Sequence, residues 1–419
     1  MTEKEFLDER STRIIFVDDA RYAMAFIYAA SFDHPAEKMI TIGVTGTNGK
    51  TTVAYMIYEI LKKAGYKTGL IGTVQTIIGD ECVDSVMTTP EADALQEILY
   101  KNAEAGVEVV VMEVSSQALM THRSQGFTFD IGVFTNIGTD HIGPDQCHDH
   151  THYVYCKSLL MRQCKTGIVN IDDPYADDIL KGHTCEVKTY GISSAKADLR
   201  ATNISCQFVQ DMPGVEFDVN DSLHIRVPMP GEYSVSNSLA AILTVKQFSV
   251  PDEVIADVLE KIYVKGRTNV IRQSSPVAIV DFAHNIVALR ELLKTLRIYY
   301  TGKIIIVTGA SGFPDTWERI GEVCGEMADL TVISTDECKF GDQPDIMKGI
   351  EKGVKKLSGE CVIIPDRREA VRYAVSVAGE NDVVAAVGRG HENHLIIKGE
   401  HLPITSDESL LLEAFDALK

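Results

Sequence analysis

Apolar residues fall along this chain in two alternating rhythms. Short unbroken apolar runs, MITIGVTG (39–46), VEVVVMEV (107–114), IGVFTNI (131–137) and TGIVNID (166–172), have the length and β-branched content of strands buried on both faces. Between them, apolar positions recur at the helical period. TNGKTTVAYMIYEILKKAG (47–65), closed by Gly65, and EADALQEILYKNAEAG (91–106) predict helices. This alternation predicts an α/β domain with a mostly parallel sheet. Residues 198–229 change rhythm to strict alternation with turn residues, which predicts a small antiparallel sheet, and 231–248 predict a helix. VKGRTNVIRQ (264–273) reads as a linker. Beyond it, PVAIVDFA (276–283), KIIIVTGA (303–310), LTVISTD (330–336), CVIIP (361–365) and DVVAAVGRG (382–390) start a second, Rossmann-like α/β alternation. The pattern divides the chain into 1–38, with one helix around Asp19–Ala30, then 39–265 and 266–419.

Composition narrows the class. The chain has 419 residues, 45% hydrophobic and 24% charged, so it can bury several cores without staples. A net charge of −20 argues against nonspecific nucleic-acid or anionic-membrane binding but leaves nucleotides open, since those need only a local cradle. No stretch approaches the about 18 apolar residues of a membrane span. The opening MTEKEFLDERSTRIIF has no signal-peptide core. Nine scattered cysteines with no C-x-x-C read as reduced thiols, which places the expected location in the cytoplasm.

GTNGKT (46–51) follows a strand and opens a helix. Glycines there let backbone N–H groups turn toward phosphate oxygens, and a helix N-terminus adds positive partial charge. Lys50 can reach terminal phosphates and the Thr51 hydroxyl can meet Mg²⁺. Counted from Gly43, the loop is one residue longer than a strict G-x-x-x-x-G-K-[ST].

GVTGTNGKTT is similar to the loop of the Mur ligase superfamily, which joins a carboxylate to an amine using ATP. TTPEADALQ (88–96), MEVSSQAL (112–119), FTNIGTDH (134–141), NIDDP (170–174), NSLAA (237–241), GR (266–267), VDFAH (280–284) and GRGHE (388–392) resemble, in order, its diaminopimelate- or lysine-adding branch, the MurE-like UDP-N-acetylmuramyl-tripeptide synthetases. The resemblance implies an ATP-binding central domain over 39–265 and a C-terminal ligase domain over 266–419. It implies ATP held by Gly46, Thr47, Asn48, Gly49, Lys50, Thr51 and Thr52, with Asn237, Arg267, Asp281 and His284 around it. Two Mg²⁺ would be bound by Thr51, Glu113, His141 and Lys157, the lysine carbamylated. Lys50, Glu113, His141 and Lys157 would be catalytic. Thr88, Thr89, Ser115, Ser116, Lys339, Gly388 and Glu392 would line the substrates, an amino acid and a carboxylate acceptor.

Residues 139–161 hold four of the 12 histidines and two of the nine cysteines. The resemblance gives no role to Cys147, His148, His150, His152 or Cys156, and their spacing is not a zinc pattern. They are expected on loop and helix surfaces. Three departures from the family stand out. Only 42 residues precede Gly43, so 1–38 reads as a truncated N-terminal segment: a UDP-binding domain is expected to be absent or supplied by a separate chain. Asp336-Glu337-Cys338-Lys339 stands where the branch has D-N-P-R, and GASGFPD (309–315) replaces a second arginine-bearing loop. Lysine does not reproduce an arginine fork. These changes put diaminopimelate in doubt and leave two other readings: the same chemistry on a cofactor or natural-product precursor, or a nucleotide-binding subunit for a partner chain.

Overall fold

Strands with two apolar faces must be covered on both sides, and the chain meets this requirement twice. The computed structural model describes residues 16–85, 87–138, 147–310, 314–336, 342–397 and 400–418. Helix α1 (Ala20–Ser31), capped by Asp19, precedes β1 (Ile40–Thr45), and α2 (Lys50–Lys63) follows it. Next come β2 (Thr68–Ile71), β3 (Gln75–Ile78), β4 (Glu81–Asp84), α3 (Ala92–Glu104), β5 (Val109–Glu113), α4 (Ser116–Met120) and β6 (Phe129–Phe134). Helix α5 (His150–Arg162), β7 (Cys164–Asn170), α6 (Ala176–Ile179) and β8 (Glu186–Gly191) lead into β9 (Leu199–Val209), β10 (Met212–Val219) and β11 (Leu223–Val227). Helices α7 (Glu232–Val245) and α8 (Asp252–Leu259) close this half.

These strands form one sheet of 11, ordered β11-β10-β9-β8-β7-β6-β1-β5-β2-β3-β4. The expected antiparallel strands are present as β9–β11, but they extend the parallel sheet through a parallel β8–β9 pair instead of standing apart. On one face, Ile57 and Leu61 of α2 and Leu239 and Ile242 of α7 pack on Ile42, Val44 and Val111. On the other, Leu95 and Leu99 of α3 and Leu160 and Met161 of α5 pack on Val110 and Met112. The short β2–β4 meander was not predicted: four-residue strands broken by Gly72 and Gly79 give too little pattern.

The second sheet orders β12 (Asn269–Arg272), β13 (Val277–Asp281), β17 (Val383–Val387), β14 (Ile304–Thr308), β15 (Leu330–Ile333) and β16 (Cys361–Ile363), parallel except for edge strand β12. Residues 269–272, read from sequence as part of a linker, are therefore sheet; only the turn before them connects the halves. Helices α9 (Ile286–Tyr299), α10 (Pro314–Met327) and α11 (Gln343–Lys356) cover one face, and α12 (Arg367–Val377) and α13 (Asp407–Asp416) the other. A hairpin of β18 (His394–Ile397) and β19 (Glu400–Pro403) precedes α13. Arg367 forms a buried bidentate pair with Asp407, at 3.0 and 2.6 Å, pinning α12 to α13.

Register positions the chemistry. Adjacent strands β1, β5 and β6 run parallel, with Val44 beside Glu113 and Thr45 beside Phe134. They end together, so the loops beginning at Gly46, Val114 and Thr135 share one edge. The carboxyl ends of parallel strands are where open α/β sheets hold ligands.

Candidate active site

The turn from β1 to α2 starts at Gly46 (φ 149°) and reaches the helix through Gly49 (φ 86°). A Cβ at Gly46 would lie 1.8 Å from Thr135 Oγ1, and one at Gly49 2.3 Å from Asn237 Oδ1, so larger residues are excluded. The β6 loop holds this turn in shape. Thr47 N–H donates to the Asn136 carbonyl (2.9 Å), Asn48 N–H to Asn136 Oδ1 (3.0 Å), and Thr135 Oγ1 to the Asn48 carbonyl (2.6 Å). Tyr153, on α5, places its hydroxyl 3.0 Å from Thr47 Oγ1. Gly49, at the N-cap of α2, makes no side-chain cap hydrogen bond, and the N-terminal end of a helix favours an anion.

Two ammonium groups converge on this loop. Lys50 Nζ donates to the carbonyls of Gly46 (2.9 Å) and Thr47 (3.0 Å), and Lys157 Nζ donates to the same Gly46 carbonyl at 2.7 Å. Lys157 is only 1% exposed and lies 4.6 Å above the Tyr153 ring. Glu113, fully buried at the end of β5, faces them from the neighbouring strand. Its Oε2 accepts from Thr51 Oγ1 (3.0 Å) and Thr73 Oγ1 (3.0 Å), and its Oε1 accepts from Thr73 N–H (2.7 Å). Among the described residues, no cationic side chain lies within ion-pair distance of it. A buried carboxylate held only by hydroxyl and amide donors, next to a threonine hydroxyl and a phosphate loop, is a donor set that fits Mg²⁺.

The second half contributes Arg267. Its Nη2 donates to Thr51 Oγ1 (3.2 Å) while its guanidinium stacks 4.6 Å over the Phe282 ring. Burial pulls this guanidinium below the ordinary arginine range, with Asp281 and Glu113 opposing the shift. Asn285, the cap of α9, donates to Asn48 Oδ1 (3.2 Å), a second tie between the halves. Asp281 spends its carboxylate on the backbone instead: it accepts from Thr268 N–H (2.6 Å) and Oγ1 (3.0 Å) and from Ala283 N–H (2.7 Å). Burial raises the pKa of Asp281. His284 is exposed, with Nδ1 2.9 Å from the Phe282 carbonyl. His391, near Arg267 and Thr73, is pushed down to about 4, chiefly by burial.

The residues proposed from sequence therefore separate into groups. Gly46 through Thr52, Glu113, Lys157, Asn237 and Arg267 surround one loop. Asn237 packs at Gly49, with its carbonyl filling the space a side chain would take. Thr88 Oγ1 lies 3.1 Å from Thr73 Oγ1. Thr89 donates to the Glu113 carbonyl (2.9 Å) and accepts from Ser115 N–H (3.0 Å). Ser115 caps α4, and Ser116 is buried in its first turn. Gly388 (φ 101°) lies at the other sheet, where a Cβ would meet Asp336 Oδ2 at 2.6 Å; Glu392 follows in the next turn. His141 and Lys339 lie outside the described residues. Sequence reasoning missed Thr73, Asn136, Tyr153 and Asn285. Asn136 sits inside a motif already singled out, and Asn285 directly follows VDFAH. Thr73 and Tyr153 carry no local pattern.

One expectation is overturned. Cys147 and Cys156 are not surface residues: they are 2% and 1% exposed and cluster with Tyr153. Cys147 lies before the Asp149 cap of α5 and folds back onto the helix, a return that spacing does not encode.

Comparison with known proteins bears on this geometry directly. Residues 44–245 match the Mur ligase middle domain and residues 266–390 the Mur ligase glutamate ligase domain. The chain is 36% identical over 415 residues to a UDP-N-acetylmuramoyl-L-alanyl-D-glutamate–2,6-diaminopimelate ligase of Caldanaerobacter subterraneus, covering 97% of this chain and 85% of that protein. The chain belongs to the Mur ligase family. The reading of the sequence as that of an ATP-dependent amide ligase stands with that membership, and the family uses ATP and Mg²⁺. The enzyme of the same name from Clostridium tetani is also 36% identical, over 92% of this chain and 79% of its own length. A solved structure of such a diaminopimelate ligase shares 26% identity at a TM-score of 0.66, covering 96% of this chain and 84% of that one. A folylpolyglutamate synthase of Mycobacterium tuberculosis shares the fold, with a TM-score of 0.69 at 14% identity.

Proposed function

We propose that this Mur ligase activates an acceptor carboxylate with ATP and joins it to the amine of an amino acid, with Lys50, Thr51, Glu113, Lys157 and Arg267 as the working residues. The observation that carries this reading is the convergence of Lys50 and Lys157 on the Gly46 carbonyl, with the Glu113–Thr51–Arg267 chain beside it. An acceptor carboxylate oxygen attacks the terminal phosphorus and ADP leaves. The amine then attacks the acyl carbon, phosphate departs, and the amine proton passes to solvent or a nearby base. No covalent enzyme intermediate is required. The loop N–H groups and Lys50 hold the phosphates where charge develops, and Arg267 couples the second half to Thr51. The halves meet at Arg267 and Asn285, which supports closure over the nucleotide and exclusion of water from the activated carboxylate.

Lys157 is best read as a carbamate. Its Nζ is buried at the phosphate loop, 2.7 Å from the Gly46 carbonyl. Attack of the Lys157 amine on CO₂, with loss of a proton to solvent, would supply an anionic metal ligand there. Thr51, Glu113 and the modified Lys157 would hold Mg²⁺, which when bound neutralises phosphate charge; we assign two such sites, the second resting in part on His141.

The relatives are named for adding 2,6-diaminopimelate to UDP-N-acetylmuramoyl-L-alanyl-D-glutamate. We infer a carboxylate acceptor of that class and a diamino acid whose distal amine meets Glu392. The test is ADP release by the wild type and Lys50→Ala with the acceptor and an amino-acid panel. Comparable turnover by both would refute the assignment.

A further inference from the structure

Beside the phosphate loop lies a cluster that the ligase chemistry does not use. Cys147, His152 and Cys156 place two thiol sulfurs and an imidazole nitrogen within 4.8 Å of one another. His152 and Cys156 stand one helical turn apart on the same side of α5. Asp149 fixes the start of that helix: its Oδ1 accepts the His152 N–H at 2.8 Å. The His148 N–H reaches His152 Nδ1 at 3.2 Å, and the two imidazoles stack at 4.9 Å. Both thiols are buried, while His152 is half-buried and gives a path from solvent.

We propose that Cys147, His152 and Cys156 form a binding site for a thiophilic divalent cation, Zn²⁺ in particular. The chemistry is selective. Two thiolates and an imidazole favour Zn²⁺ over Mg²⁺ or Ca²⁺, which prefer oxygen. Zn–S bonds of about 2.3 Å in a tetrahedron put neighbouring ligand atoms about 3.8 Å apart. The cluster needs to contract by no more than about an ångström to reach that spacing. Binding releases the thiol protons to solvent, and a fourth position remains for water.

The site's place gives it a consequence. It brackets Tyr153, whose hydroxyl meets Thr47 of the phosphate loop, and Cys156 directly precedes Lys157. A bound ion ties the segment before α5 to the helix itself. That holds Tyr153 and Lys157 at the loop from outside the nucleotide pocket. The cation is thus a positioning element, chemically distinct from the Mg²⁺ that the family uses.

The full-length protein, reduced and freed of metal, tests this by titration with Co²⁺. The expected result is a thiolate-to-cobalt charge-transfer band with tetrahedral ligand-field absorption, saturating at one ion per chain and displaced by Zn²⁺. Oxygen ligands around Glu113 give no thiolate band, so occupancy there is not mistaken for this site. Cys147→Ser and His152→Ala should each weaken Zn²⁺ binding about tenfold or more. His152 is half-buried, so its variant also guards against misfolding caused by loss of a buried thiol. Zn²⁺ should raise the melting temperature of the wild type and not that of His152→Ala. Absence of the thiolate band in reduced wild-type protein, or Zn²⁺ affinity in both variants unchanged from that of the wild type, would overturn the proposal.

Discussion

At the ends of β1 and β5, a buried carboxylate, two ammonium groups and several hydroxyls converge on one loop; at the ends of β13 and β17, the charged side chains mostly brace the backbone of their own loops. Glu113 gathers the hydroxyls of Thr51 and Thr73, and Lys50 and Lys157 meet on one carbonyl. In the second sheet, Asp281 accepts from the amides of Thr268 and Ala283. Arg389 donates to the Thr335 carbonyl at 2.7 Å, with Asp336 a further 3.7 Å partner. The first arrangement gathers charge that phosphate and metal can reorganise. The second fixes the shape of loops and leaves specificity to what those loops carry. On the proposed function, chemistry falls to the first sheet and selectivity to the second, and substitutions in the two should differ in kind.

The largest effect is expected at Lys50. Lys50→Ala removes a loop charge without opening the core, so ligation should fall by about 10³-fold, or about 4 kcal/mol, while unfolding free energy stays within about 0.5 kcal/mol. ADP release and denaturant melts measure the two. A parallel loss of stability would mean that the lysine mainly braces its own loop. Lys157→Ala should lower turnover by about 10²-fold. If the carbamate is the working form, short carboxylates such as formate should restore part of it. Rescue by neutral amides instead would point to cavity filling, not charge.

The first sheet was largely legible from sequence because its residues act through their neighbours in the chain. The glycines, Lys50 and Thr51 sit on one strand–turn–helix, and a strand end announces Glu113. What could not be read there depends on folding back. Thr73 reaches Glu113 from a meander too short to show a period, and Tyr153 reaches Thr47 across 106 positions. Cys147 joins Cys156 only because the chain reverses before the Asp149 cap. The second sheet was legible as fold and poorly legible as site. Its strands are plain apolar runs, but the turn that Asp281 closes with Thr268 and Ala283 leaves no pattern in the sequence. Asn285, which reaches Asn48 across 237 positions, was not singled out at all.

A smaller effect tests the join between the halves. Arg267→Lys keeps the charge but loses the flat face that stacks on Phe282 and the second arm that reaches Thr51. The expected cost is about 1–2 kcal/mol, or about tenfold in kcat/KM for ATP. It should fall mainly on KM if Arg267 binds nucleotide uniformly, and on kcat if it acts as the halves close. An unchanged kcat/KM would leave Arg267 as packing at the connection.

The smallest effect probes the second sheet's role in selectivity. Diaminopimelate differs from lysine by one distal carboxylate. Choosing it requires a cation that replaces that group's hydration, and a bidentate arginine does this well. Asp336 opens the segment Asp336–Lys339, which ends in lysine where the resemblance to the diaminopimelate-adding branch implies an arginine. Arg389 is buried, donates to the Thr335 carbonyl and lies 3.7 Å from Asp336. Glu392, in the turn after Arg389, suits an ammonium and repels a carboxylate. A basic amino acid without the second carboxylate should therefore be used at least as well as diaminopimelate, with kcat/KM ratios within about tenfold, or about 1.4 kcal/mol. Glu392→Gln should narrow the gap between lysine and neutral amino acids. A preference for diaminopimelate beyond that margin would mean that another cation takes the fork's place. The second sheet would then share in charge recognition, and the division drawn between the two sheets would fail.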